Sequence, residues 1–94
     1  MPFARLALFP EGTQQQHEAI VEGLGDAYAQ APGRLLFAAG PTAEGWQILQ
    51  VWENQEQLEK WVQDHLGRAF AHAGSRGYAH PPTITDFELA DVLV

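Results

Sequence analysis

An α+β fold with the element order βαββαβ is predicted by three observations on this chain. Four short segments are apolar with the alternation of strands. Two segments carry an apolar stripe at helical spacing behind an N-terminal cap. Proline and glycine clusters separate all six elements.

The first strand is Phe3 to Phe9. Phe3, Arg5, Ala7 and Phe9 share one face, and Ala4, Leu6 and Leu8 the other. Both faces are mostly apolar, so the strand needs cover on both sides. Pro10-Glu11-Gly12 ends it. Thr13-Gln14-Gln15-Gln16 then reads as a capping box, in which a hydroxyl and an amide side chain satisfy each other's backbone donors. The stripe behind it is His17, Ile20, Val21, Leu24, Tyr28 and Ala31, which predicts one helix up to Pro32-Gly33. Gly23 and Gly25 each weaken that helix by up to about 1 kcal/mol relative to alanine, so tertiary packing has to hold it.

Arg34 to Ala39 is the second strand, and residues 40–45 form a hairpin-length connection to the third, Trp46 to Trp52. On the third strand Trp46, Ile48, Gln50 and Trp52 share a face opposite Gln47, Leu49 and Val51. Asn54, with Gln57 three residues on, caps a second helix with the stripe Leu58, Trp61, Val62, His65, Leu66 and Ala69. Gly67 is a point for a kink or an end, after which Phe70 and Ala73 continue the apolar side. A loop with two glycines and two prolines leads to the last strand, Thr83 to Val92. This is a split βαβ order, which gives a four-stranded antiparallel sheet with both helices on one face. The opposite face is apolar and bare. A second copy of the chain is its simplest cover, because each buried side chain contributes about 1.5–3 kcal/mol.

Ninety-four residues make a single domain spanning 1–94. A net charge of -7 repels phosphate backbones and argues against nucleic acid as a partner. No apolar run reaches the ~20 residues that span a bilayer, and the N-terminus lacks a signal layout, so a cytoplasmic protein is expected. The chain has no cysteine, hence neither disulfides nor thiolate chemistry. Its single serine, Ser75, and its lack of a phosphate-binding loop argue against serine hydrolase and nucleotide chemistry. No metal site is expected: His65 and His72 are seven residues apart, roughly 10 Å along one helix, and there is no His-x-x-x-His pair.

Ala38-Ala39-Gly40-Pro41-Thr42, Gly45-Trp46, Val51-Trp52-Glu53, Leu58 and Trp61, with the spacing of all six elements, resemble the antibiotic biosynthesis monooxygenase-like group of small dimeric α+β barrel proteins. The resemblance implies a ferredoxin-like fold, two copies packing sheet to sheet into one barrel, and a cavity between each sheet and its own helices. Some members of the group oxidise aromatic polyketides or quinols with molecular oxygen and no metal, flavin or haem, so the resemblance implies no cofactor and a small hydrophobic or aromatic ligand. Those enzymes use Asn, Trp, Tyr and Arg around the cavity, with the tryptophan one turn after an asparagine at the start of the second helix. Here Leu58 stands four residues after Asn54 and Trp61 seven after, so the residue types recur and the spacing does not. Other members degrade haem. This chain resembles them through Trp61 with His65 or His72, but its first strand carries Arg5 and Ala7 where they have an asparagine.

The substrate-binding candidates are therefore Trp61, His65, Tyr28 and His17. His65, beside Trp61 on the second stripe, is the one candidate for a catalytic base: burial would keep its imidazole neutral and able to accept a phenolic proton. His17 is either a second cavity base or a half-buried helix-face residue. Tyr28 either binds a phenolic ligand or closes the core with its hydroxyl in water. Trp46 and Trp52 serve packing. Buried, Arg5 needs an acid partner in Asp86 or Glu88; as a functional group it would instead bind a carboxylate or stabilise an enolate. Two functions remain open, oxidation of a small aromatic or quinol-type molecule and a non-catalytic ligand-binding or structural dimer, with haem binding or degradation behind them.

Overall fold

A computed structural model describes residues 1–93. The elements are β1 (Phe3–Pro10), α1 (Gln14–Leu24), β2 (Arg34–Thr42), β3 (Gly45–Trp52), α2 (Gln55–Trp61), α3 (Gly67–Ala73) and β4 (Thr83–Glu88). The strands form one antiparallel sheet in the order β2-β3-β1-β4. This is the predicted ferredoxin-like arrangement.

Both caps form. Thr13 Oγ1 accepts from the Gln16 amide at 3.1 Å, and Gln16 Oε1 accepts from the Thr13 amide at 3.0 Å. Asn54 Oδ1 accepts from the Gln57 amide at 2.9 Å. The second strand runs on to Thr42 rather than ending at Ala39, and three further boundaries differ from expectation. The first helix stops at Leu24, because Gly25 takes a left-handed φ of 57°, and a single 3-10 turn follows over Gly25–Tyr28. The second helix is interrupted over Val62–Leu66 by a π-wound turn, which lies before Gly67 rather than at it. The last strand ends at Glu88, not Val92.

Gly23, a liability for the helix alone, is where α1 meets α3. A Cβ there would lie 2.8 Å from the Ala69 carbonyl oxygen, and Ala69 is fully buried. The close approach of the two helices offsets the lost propensity. Phe3, Trp52, Leu58 and Trp61 form one core cluster between sheet and helices; Ala19, Ile20, Ala69 and Ala73 form a second between helices.

The register sorts the sheet into rows. Facing the helices, Trp52 lies beside Phe3; next come Phe37, Gln50, Arg5 and Asp86; then Ala39, Ile48, Ala7 and Ile84; then Trp46 beside Phe9. The outer face carries Leu36, Val51, Ala4 and Phe87 in one row and Ala38, Leu49, Leu6 and Thr85 in the next. Leu36 is 47% exposed and Phe87 43%. The bare apolar face read from the alternation is therefore present.

Candidate functional site

The helix-facing rows explain where space is left. Successive rows lie about 6.7 Å apart along the strands. The third row alternates alanine with isoleucine, with Ala7 at its centre, between a largely polar row and an aromatic one. Above it lies an apolar cavity of about 250 Å³, walled by Ile20, Val21 and Leu24 of α1, by Val62 and Leu66 of the π-wound turn, and by Phe37, Phe9, Phe70 and Trp61. Pro82 and the half-exposed Ile84 line it on the β4 side. A cavity just below the usual ~300–1,000 Å³ of ligand pockets suits a small, flat, largely apolar molecule.

Three of the four binding candidates line this cavity: His17, Tyr28 and Trp61. Trp61 is held by its indole N–H, which donates to the Ala27 carbonyl at 3.0 Å. Tyr28 stands edge-on to Phe37, ring centres 5.2 Å apart. His17 is 9% exposed and lies against Trp46, ring centres 5.1 Å apart. His65 does not line the cavity. It stays beside the Trp61 ring at 6.3 Å but faces a surface groove with Leu24, Ala27 and Arg68. The physical reason is the π-wound turn: its extra residue per turn brings Val62 and Leu66 to the cavity and rotates His65 off that face. His72 is half-exposed, with Nε2 3.7 Å from Glu22. Neither histidine offers a haem iron an axial ligand inside the cavity. Among the described residues no group of three His, Asp or Glu side chains could hold a metal ion, and no helix is long and apolar enough to cross a membrane.

Tyr78 was not singled out by its sequence position, between Gly77 and Ala79 in the glycine- and proline-rich loop. Its ring stacks on Phe9 with centres 3.7 Å apart, and its hydroxyl lies 3.3 Å from His17 Nδ1. Both residues line the cavity. Burial lowers the His17 pKa from its ordinary 6.5, against an opposing pull from Glu18. Burial also pushes the Tyr78 hydroxyl well above the ordinary phenol value of 10.0. The pair is thus a neutral imidazole and a neutral phenol.

The other polar end is Arg5. Its Nε and Nη2 donate to the two carboxylate oxygens of Asp86, each at 2.8 Å, and Nη2 lies 3.5 Å from Glu59. The hydrogen bonds with Asp86 raise the guanidinium pKa, against desolvation. Of the two acids anticipated, Asp86 is the partner, since the register sets it opposite Arg5. Beside Arg5, Gln50 Oε1 accepts from the Trp52 indole at 3.1 Å. Arg34 is an unforeseen structural clasp. It donates to the Tyr28 carbonyl and lies over the rings of Phe37, Trp61 and Trp52 at 5.0, 5.7 and 6.0 Å.

The His17 shift has a stability consequence. Its folded pKa lies below the unfolded value, so the unfolded chain binds the proton first. The associated stability is fully present above pH 6.5 and is lost as pH falls through the folded pKa. Denaturant midpoints will fall between about pH 7 and pH 5, and His17→Gln will make that fall shallower. Equal slopes for the two proteins would contradict the assignment.

No family model and no curated protein matches the chain. Solved structures do. A Chloroflexus aurantiacus protein, provisionally named an antibiotic biosynthesis monooxygenase, matches at TM-score 0.73 and 15% identity over 100% of this chain and 98% of its own. A Caulobacter crescentus protein with the same provisional name matches at TM-score 0.75 and 16% identity over 96% and 91%. A dimeric ferredoxin-like protein of unknown function from Thermobifida fusca matches at TM-score 0.67 and 19% identity over 95% and 92%. The fold is shared. It is the fold of proteins named for the group that the sequence resembles.

Proposed function

We propose that the chain is a homodimeric, cofactor-independent oxygenase acting on a small aromatic or quinol-type molecule. The cavity supports this reading: an aromatic-walled space between sheet and helices, with a neutral imidazole and phenol at one end. In this reaction the bound molecule supplies the electrons. Loss of a proton makes it an electron-rich anion, the anion reduces oxygen, one oxygen atom enters the product and the other leaves as water. The chain's part is to hold the ligand, exclude water and accept the proton.

Binding without catalysis is the second reading. The pairing of Arg5 with Asp86 favours it, because that guanidinium is already neutralised by a carboxylate. Turnover of a dihydroquinone or anthrone, followed with and without oxygen, separates the two. Product formation in air that stops under nitrogen is the expected result. Equal turnover without oxygen rules out the oxygenase reading, and saturable quenching of tryptophan fluorescence with no product supports the binding one.

A further inference from the structure

The cavity's polar groups are unequal. At the Arg5 end the guanidinium Nε and Nη2 are paired with Asp86, and the Gln50 side-chain oxygen is taken by the Trp52 indole. At the other end, Tyr78 and His17 share one hydrogen bond, and both face the cavity. His17 also lines a separate outer cleft with Gln14 and Glu18, so its ring stands between the cavity and the surface.

We infer that Tyr78 and His17 form a two-state recognition point: with His17 neutral they read a ligand hydroxyl, and with His17 protonated they read a ligand carbonyl. The inference rests on the cavity reading above. In the neutral state Tyr78 donates its proton to His17 Nδ1, since the surrounding walls, Phe9, Ile20 and Phe70, offer no acceptor. The phenolic oxygen then keeps lone pairs for a hydroxyl donor. If the ligand O–H breaks, its electron pair stays on the ligand oxygen. The proton joins Tyr78 Oη as the Tyr78 proton passes to Nδ1, leaving a ligand anion and an imidazolium. The bond between the two residues is now reversed. Nδ1–H donates to Tyr78 Oη, and the Tyr78 O–H turns to the cavity, where a carbonyl oxygen can accept it. The same two side chains therefore release a proton from the reduced ligand and hold the oxidised one.

The groups that set this balance are few. Glu18 is adjacent on α1 and favours the imidazolium, Tyr28 stands edge-on at 6.3 Å, and Phe37 and Trp46 are uncharged walls. Burial opposes the imidazolium.

Affinities for 1-naphthol, 1,4-naphthoquinone and naphthalene, measured by calorimetry across a pH series on the full chain, test the inference. Above the His17 transition, 1-naphthol will bind about tenfold more tightly than naphthalene, the worth of one hydrogen bond. Below it, the preference will move from 1-naphthol toward 1,4-naphthoquinone. Tyr78→Phe will bring the naphthol-to-naphthalene ratio close to one. His17→Gln will leave a preference that no longer changes with pH, which a merely structural role for His17 does not produce. Equal binding of naphthol and naphthalene by the unaltered protein, or a pH-independent preference, overturns the inference and leaves the cavity reading standing. Failure of all three compounds to bind overturns both.

Discussion

Trp52→Ala will lower the stability of the folded chain by about 3–5 kcal/mol. A small domain has only about 5–15 kcal/mol in total, so this one change removes a large share of it. Trp52 is fully buried and packs against Trp61 with ring centres 5.8 Å apart. It lies beside Phe3 in the sheet, and its indole N–H donates to Gln50. Truncation removes the apolar surface, leaves a hole under α2 and strands the Gln50 acceptor. Urea denaturation followed by circular dichroism measures the effect. A midpoint within experimental error of the unaltered protein would show that this cluster does not hold the sheet to the helices.

The joint substitution Leu6→Arg and Leu49→Arg will convert the proposed homodimer into a 10.4 kDa monomer. The two leucines are paired neighbours at the centre of the outer face, flanked by Val51, Leu36 and Phe87. Burial of this face against a second copy contributes about 25 cal/mol for each Å² of apolar surface covered. Two guanidinium groups at its centre would have to be desolvated without partners, which costs several kcal/mol each. Sedimentation equilibrium at micromolar concentration reads the result directly. If the unaltered protein already sediments as a 10.4 kDa particle, the sheet does not pair with a copy of itself, and the expectation fails at its first step.

The element order and the two faces of the sheet were legible because their causes act between near neighbours. Alternation over Phe3 to Phe9 and Trp46 to Trp52 grouped Arg5 with Ala7 and Ile48 with Gln50, and the structure turns both sets toward the helices. The Thr13 and Asn54 caps depend on residues three positions on, and both form. The misjudged boundaries have local causes of a subtler kind. An unbroken stripe through Tyr28 and Ala31 concealed the left-handed turn at Gly25. The regular spacing of Trp61, Val62, His65 and Leu66 concealed a change of winding that put His65 outside the cavity.

The sequence by itself determined which residues make strands and helices, which residues of a strand share a face, and that both faces of the sheet are largely apolar; which face meets the helices came from the fold. The first three follow from periodicity and capping, whose range is a few residues. The tertiary structure decided where the cavity lies and what stands in it. Ala7 lines the cavity beside Ile48 and Ile84 of other strands, and Tyr78 meets His17 across 61 residues of chain. A lone tyrosine in a loop carries no periodic signal, so its partner is chosen by the packing of the whole fold.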